Sequence, residues 1–204
     1  MRRTKEDTEE TRKAILAAAE ELFLDRGYSA VSLDDVAQAA GFTRGAIHWH
    51  FRNKLGLLIA IHEHISLPVQ ELVGRLTTDS RLDPVEEWKS ATIDMFRELE
   101  NDPRRQRLMR VLAGFVWLDG TQAARDKRRH FDCVLRSSIG NILTVVQERG
   151  RLKTPWDPQT AAMAFHALIV GMINEWLLDN TSFSLRGDAL RVVESFIISV
   201  ARPA

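Results

Sequence analysis

Apolar residues recur along most of the chain at the three- and four-residue spacing of amphipathic helices, and runs with the two-residue alternation of strands are absent. The first such segment has apolar residues at Ile15, Ala19 and Phe23, and Gly27 follows as a helix terminator. Similar segments continue to the end of the chain. The pattern predicts an all-α fold of about nine helices.

Asp-Pro pairs at 83–84, 102–103 and 157–158 mark three helix starts. Aspartate is a good N-cap, and proline suits the first helical turn because its missing N–H has no partner there. A last helix is predicted from about residue 187 to 201. The chain is thereby divided into a block of short helices near the N-terminus and a longer block of longer helices.

The segment 32–51 has the pattern of a helix-turn-helix. Ser32 is placed to cap the first short helix, and Gly41 can adopt the positive φ that a tight turn needs. Thr43 is placed to cap the second helix. That helix buries Ile47 and Phe51 and turns its other residues outward.

Charge favours a nucleic-acid partner only locally. The 204 residues include 28 Lys+Arg and 28 Asp+Glu, so the formal net charge is zero. Between residues 41 and 56, however, Arg44, Arg52 and Lys54 occur with two histidines and no acid. Such an edge also fits an ordinary small helical bundle, but together with the capped turn it favours DNA.

The segment 39–54, AAGFTRGAIHWHFRNK, resembles the DNA-binding domain of the TetR family of bacterial regulators. It is especially similar to the AcrR/TtgR-type repressors of multidrug efflux pumps, as are the opening RRTKED and the segment 171–178, GMINEWLL. The family usually has tyrosine at the position of His48, where it contacts a backbone phosphate.

The resemblance implies a helix-turn-helix DNA-binding domain over residues 1–54 and a larger ligand-binding and dimerisation domain over 55–204. It implies a cytoplasmic homodimer on a pseudo-palindromic operator, whose half-sites lie about 34 Å apart. The implied function is repression, expected at a multidrug efflux operon and relieved when a lipophilic, drug-like molecule binds. No cofactor and no enzymatic activity are implied.

Eight residues are predicted to contribute to DNA binding. Arg44 is the expected base reader, because a guanidinium can bind guanine O6 and N7 together. Gly45 permits close approach, and Trp49 is expected either on a thymine methyl or sugar, or half-buried at the rim. Phosphate contacts are predicted for Thr43, His48, His50 and Lys54. Ser32 completes the set.

Twelve residues are predicted, by the resemblance, to line the ligand cavity: Ile65, Trp88, Thr92, Met95, Met109, Leu135, Ile139, His166, Ile169, Val170, Ile173 and Asn174. Aromatic, methionine and aliphatic walls with a few polar groups suit a lipophilic ligand. The same stripes are also typical of a plain hydrophobic core, and the sequence leaves both possibilities open.

The helix from about 157 to 179 is apolar on almost every side, and helices of that kind are buried on every side. The last helix carries a stripe of Leu190, Val193, Ile197 and Val200. These two helices are predicted to pair with their copies in a second chain as a four-helix bundle.

A helical enzyme and a protein-binding adaptor are the alternatives, and salt-dependent DNA affinity would separate a regulator from both. His62 and His64 lie two positions apart on a helix and point about 200° apart, so no metal site is predicted. Cys133 is the only cysteine, which suits the cytoplasm. The longest apolar stretch, 161–173, is shorter than the about 20 residues of a spanning helix, so no membrane partner is expected.

Overall fold

The computed structural model describes the backbone of residues 5–119 and 121–203, and the side chains within them except 5, 6, 62–70, 114–119, 123, 124 and 127. Over this range there are nine α-helices, one short π-helix and no β-strand, so the all-α prediction is confirmed. The α-helices are α1 Lys5–Arg26, α2 Leu33–Ala40, α3 Arg44–Phe51, α4 Lys54–Thr78, α5 Pro84–Asn101, α6 Pro103–Asp119, α7 Gln122–Glu148, α8 Pro158–Leu178 and α9 Leu190–Val200.

The three Asp-Pro pairs begin α5, α6 and α8, as predicted. Asp83 Oδ1 accepts a hydrogen bond from the backbone N–H of Val85 at 2.8 Å. Asp157 Oδ1 accepts one from the N–H of Gln159 at 2.9 Å, and Asp102 binds the first turn of α6 in the same way. Each carboxylate thus satisfies an N–H group that the helix itself cannot pair.

The C-terminal segment differs from the single helix that the sequence predicts, because a π-helix, Leu185–Ala189, precedes α9. The Glu100 carboxylate of α5 accepts hydrogen bonds from Ser184 Oγ at 2.9 Å and from the N–H of Leu185 at 3.2 Å. It also pairs with Arg186. These contacts join residues 84 or more positions apart, so helical periodicity could not predict the shape of this turn.

The chain forms two compact units, and the first comprises residues 1–65 and 107–127. Ile15, Phe23, Ile47 and Leu57 are fully buried in its core. Burial of each such side chain stabilises the fold by about 1.5–3 kcal/mol. Because α3 contributes Ile47 to this core, the position of its outer face is fixed by packing.

The second unit comprises residues 66–106 and 128–204. Its α5, α8 and α9 meet through aromatic rings: the centroids of Trp88 and Phe165 are 4.6 Å apart, and those of Phe165 and Phe196 are 5.7 Å apart. Trp156 also belongs to this cluster, because its ring lies against that of Phe196. The units are defined by contacts alone, and the functional boundary between residues 54 and 55 stays a prediction.

Helix α8 is apolar over a greater length than the uninterrupted apolar stretch 161–173 indicates. Its 21 residues, with a mean hydropathy of 1.5 over the most apolar 18-residue window, are long and apolar enough to cross a membrane by length and composition. In the second unit, Phe165, Ile169 and Trp176 of this helix are buried, and α8 packs against α9 and the π-helix. Part of α8 is thus packed within the unit, while Met163 and Leu178 on the same helix are exposed.

Candidate DNA-binding surface and ligand-binding residues

Caps at both ends of the turn fix the geometry of the helix-turn-helix. Ser32 Oγ accepts from the N–H of Asp35 at 3.1 Å, and Asp35 Oδ2 accepts from the N–H of Ser32 at 2.8 Å. Gly41 ends α2 at φ +71°, a conformation that favours glycine. Thr43 Oγ1 then accepts from the N–H of Ala46 at 3.2 Å and begins α3. The predicted helix-turn-helix is confirmed, and Ser32 and Asp35 form a capping box at its start.

Helix α3 has an apolar inner face and a polar outer face. Ile47 and Phe51 are buried, and no acidic residue lies on the helix. Of the predicted DNA-binding residues, those exposed to solvent are Ser32, Thr43, Arg44, Gly45, His48 and Trp49, and those half-buried are His50 and Lys54. The first unit therefore brings most of the predicted set to its surface.

Trp49 is the largest exposed side chain on α3, with 70% of its surface accessible. It lies edge-on to His50, with ring centroids 4.5 Å apart. The two rings, together with Thr8 of α1 and Ala46, line an open cleft of about 310 Å³. The half-buried rim position considered for Trp49 is therefore wrong, and its indole is accessible for contact.

Arg44, the predicted base reader, lies in the first turn of α3. Its Nη1 is 3.1 Å from Asp34 Oδ2 on α2, and each of the two side chains is 67% exposed. Nothing in the sequence pattern indicated this pair, because the two residues are ten positions apart on different helices.

The junction between α3 and α4 depends on close backbone packing. A Cβ atom at Gly56 would lie 1.9 Å from the carbonyl oxygen of Phe51, so only glycine fits there. Arg52 adopts φ +66°, which is strained for a residue other than glycine. Asn53 Oδ1 accepts from the N–H of Gly56 at 2.8 Å and begins α4. The sequence did not reveal the close approach at Gly56.

Lys54 has partners other than the phosphate that the sequence predicts. Its Nζ donates to the carbonyl oxygens of Tyr28 and Val31, both at 2.8 Å, and to that of Ser29 at 3.4 Å. It also lies 4.4 Å from the centroid of the Tyr28 ring. The three hydrogens of the ammonium match three carbonyls, so a phosphate contact would require the loss of one.

The predicted ligand-binding residues do not all lie in one unit. Ten are in the second unit, buried or half-buried: Trp88, Thr92, Met95, Leu135, Ile139, His166, Ile169, Val170, Ile173 and Asn174. Met109 instead belongs to the first unit, where it packs against the hydrophobic core. The side chain of Ile65 lies outside the described residues. The Thr92 hydroxyl donates to the carbonyl of Trp88 at 2.9 Å, within its own helix.

Three buried nitrogens lack a hydrogen-bond partner among the described side chains: Trp88 Nε1, His166 Nε2 and Trp176 Nε1. His166 Nε2 is 3.6 Å from Asp132 Oδ1, which is too long for a hydrogen bond. Burial lowers the pKa of His166, as do Arg136 and Arg128, whereas Asp132 opposes the shift. His166 is thus held neutral at pH 7. Trp176 was not in the predicted set.

Metal binding has no support in the described part of the molecule. No group of three histidine, cysteine, aspartate or glutamate side chains that could hold a metal ion is found there. The side chains of His62 and His64 lie outside the described residues.

Large apolar side chains are exposed on α8 and α9 of the second unit. They are Met163, Leu178, Val192 and Ile198, and Leu178 and Ile198 are 86% and 67% exposed. Of the stripe predicted on α9, Val193, Ile197 and Val200 are instead buried within the unit and Leu190 is half-buried.

Comparison with known proteins extends the resemblance over the whole chain. Residues 15–61 match the model described as "Bacterial regulatory proteins, tetR family". Residues 83–201 match "MAATS-type transcriptional repressor, C-terminal region", which alone covers more than half of the chain.

The transcriptional regulator TtgR of Pseudomonas putida is 33% identical to the chain, over 96% of this chain and 93% of TtgR. NalD, the secondary repressor of the MexAB-OprM multidrug efflux pump in Pseudomonas aeruginosa, is 33% identical, with a TM-score of 0.75 over 98% of this chain and 100% of NalD. A SmeT–triclosan complex is 27% identical, with a TM-score of 0.84 over 95% of this chain and 93% of SmeT. With a capped helix-turn-helix and this similarity along its full length, the chain belongs to the TetR family of DNA-binding transcriptional regulators.

Proposed function

We propose that the protein is a ligand-responsive repressor that binds, as a homodimer, a pseudo-palindromic operator of a multidrug efflux operon in the cytoplasm. The observation that carries the proposal is helix α3, which Thr43 caps, Ile47 anchors in the core and no acidic residue interrupts. The choice of operon is supported by NalD and SmeT, each named as a repressor of a multidrug efflux pump. The proposal assigns no catalytic role and no cofactor.

Each exposed group on α3 has a role in this proposal. Arg44 reads a guanine in the major groove, and Gly45 lets the helix approach the groove wall. Thr43, His48 and His50 contact phosphates, and the exposed Trp49 indole packs against a sugar or a thymine methyl. Two α3 helices about 34 Å apart would read two half-sites one helical turn apart.

Dimerisation is assigned to α8 and α9. Single exposed apolar residues are common, but Met163, Leu178, Val192 and Ile198 lie on two helices that pack together in the same unit. A second copy would bury them in a four-helix bundle. The dimer would hold two copies of α3 on one side of the duplex.

The ligand is assigned to the second unit, among the ten predicted residues placed there. Its chemistry follows from the unpaired nitrogens: a buried donor without a partner costs about 1–3 kcal/mol, which an acceptor on a ligand would recover. The Trp88 indole N–H therefore favours a lipophilic molecule with a phenol or carbonyl oxygen as acceptor. The SmeT–triclosan complex supports this class, since triclosan is a chlorinated phenol.

Release from DNA follows from linkage. The dimer has one form whose two α3 helices fit the operator and another whose α3 helices do not. A ligand that binds the second form more tightly lowers operator affinity, by as much as its affinities for the two forms differ. About 1.4 kcal/mol of difference gives a tenfold effect.

The test begins with the purified protein and a library of duplexes that have a random central sequence. Selection is expected to enrich an inverted repeat, binding is expected to weaken as salt rises, and triclosan is expected to release the operator in a fluorescence-anisotropy titration. Deletion of the gene should raise transcripts of an efflux operon whose promoter carries the repeat. Failure to enrich any sequence, or a strictly monomeric particle, would overturn the proposal.

A further inference from the structure

Two neighbouring carboxylates in the first turn of α2 have different surroundings. Asp35 belongs to the capping box, since its Oδ2 accepts from the backbone N–H and the hydroxyl of Ser32. Asp34 takes no part in that cap. Its Oδ2 instead accepts a hydrogen bond from Arg44 Nη1 at 3.1 Å. Because both side chains of this pair are 67% exposed, the pair stabilises the fold little.

We propose that Asp34 is a specificity-determining positioning residue: it holds the Arg44 guanidinium for guanine readout and lowers affinity for DNA that lacks guanine at that position. The inference rests on the proposed function, because it requires Arg44 to face the bases of an operator. It adds a residue of α2 to the recognition machinery of α3.

The geometry leaves Arg44 able to contact Asp34 and a base at the same time. A guanidinium carries five N–H donors in a rigid planar fork. Asp34 uses a donor on Nη1. The opposite edge, formed by Nε and Nη2, retains two parallel N–H groups that match guanine O6 and N7. Thr43 fixes the backbone of Arg44 in the first turn of α3, and Asp34 holds its guanidinium. Arg44 therefore loses less side-chain entropy when it binds a base.

The charge of Asp34 adds discrimination against other sequences. An unrestrained arginine on a DNA-facing helix can swing to a phosphate, which it binds equally well on every sequence. To do so, Arg44 would leave Asp34, and an unpaired carboxylate would then face the negative potential of the duplex. When Arg44 binds guanine, its ion pair with Asp34 stays intact. On DNA that lacks guanine at this position, Arg44 can bind a phosphate only by leaving Asp34.

The experiment uses Asp34→Asn in the full-length protein, because asparagine keeps the shape and removes the charge. Asp25→Asn is the matched control: it removes the same charge from the first unit, at the end of α1, where Asp25 pairs only loosely with Arg26 at 3.9 Å. Affinity is measured for the selected operator, for operators changed at one base pair of each half-site, and for an unrelated duplex.

Asp34→Asn is expected to strengthen binding to the unrelated duplex and to lower the preference for guanine at one position roughly tenfold. Asp25→Asn is expected to change affinity for all duplexes alike. In an Arg44→Lys background, where no fork remains, the position-specific effect of Asp34→Asn should vanish. The thermal unfolding midpoint should stay unchanged.

The inference would be overturned by a change equal on all duplexes, by a position-specific effect that persists with Arg44→Lys, or by unfolding of the Asp34→Asn variant. Unchanged guanine preference on a well-defined operator would overturn it while leaving the proposed function standing. If the wild-type protein enriches no sequence, the proposed function fails and this inference fails with it.

Discussion

The helix-turn-helix and the interior of the second unit differ in how their polar groups are paired. In the helix-turn-helix, Ser32, Thr43 and Asn53 each cap a helix, and Lys54 donates to carbonyls of the loop between α1 and α2. In the second unit, Trp88, His166 and Trp176 keep buried nitrogens without partners. The named polar groups of the region assigned to DNA thus have partners within the protein, whereas the region assigned to the ligand retains buried nitrogens without hydrogen-bond partners.

This difference fits the two kinds of binding. A surface that meets a stiff duplex gains from being ordered beforehand, since little entropy is then lost on association. An interior that responds to a small molecule must change its stability when that molecule arrives. Unpaired buried donors provide this response, because a ligand acceptor recovers a cost already present in the free protein.

The largest effect is expected from Gly56→Ala, which tests the rigid α3–α4 junction. The new methyl group would lie 1.9 Å from the Phe51 carbonyl oxygen, which belongs to the backbone and cannot move alone. We expect a loss of about 3 kcal/mol or more in the free energy of unfolding, and loss of DNA binding, measured by urea denaturation and by anisotropy.

Gly74→Ala is the control for that substitution, since Gly74 lies in the same helix α4 with open space around its Cβ position. It should leave DNA binding intact and raise stability by about 0.5–1 kcal/mol through helix propensity. Equal effects of the two alanines would mean that the junction tolerates a side chain.

Lys54→Met tests whether the Lys54 ammonium stabilises the fold through its carbonyl contacts or binds the phosphate that the sequence predicts. The change keeps the aliphatic stem and removes the donors to Tyr28 and Val31, so we expect about 2 kcal/mol less stability. The slope of log K against log salt should stay unchanged. A slope reduced by about 0.9 per subunit would show that Lys54 neutralises a phosphate after all.

Trp88→Phe tests the unpaired donors of the second unit. Phenylalanine keeps a ring against Phe165 and removes the indole N–H, so stability should change by less than about 1 kcal/mol while triclosan affinity falls roughly tenfold. Apo DNA binding should persist. Trp156→Phe, which changes another indole of the same aromatic cluster, is the control. Equal triclosan affinity with and without the Trp88 N–H would make this residue plain core.

The smallest effect is expected from pH. Burial lowers the pKa of His166 in the folded protein below its ordinary value of 6.5. As pH falls through 6.5, the unfolded chain therefore binds a proton that the folded chain does not, and stability is lost. Unfolding midpoints of wild type and His166→Phe, compared between about pH 7.5 and about pH 5.5, should diverge at the acid end. Parallel curves would contradict the neutral, buried state of His166.

Local features of the site were predictable from sequence. Ser32, Thr43 and Asn53 cap helices that begin one residue later, and Gly41 ends α2. Each of these features is fixed by residues within about four positions of one another, which is the range over which caps and helical periodicity act.

Contacts between distant segments were not predictable. The pairing of Asp34 with Arg44, the binding of Glu100 to Ser184 and the placement of Met109 in the first unit all depend on how helices pack. The exposure of Trp49 likewise could not be decided from its position on a helical wheel. In the second unit, an apolar stripe reads the same whether it lines a cavity or fills a core.

The sequence by itself determined which segments are helical, where the turn of the DNA-binding motif lies and that Ile47 and Phe51 form the buried face of α3. Those properties follow from the intrinsic preferences of neighbouring residues, which act before any tertiary contact forms. Only the tertiary structure decided which polar groups find partners on another helix or loop. Pairing depends on distances between helices, and it left Lys54 bound, Arg44 tethered to a carboxylate and the Trp88 nitrogen without an acceptor.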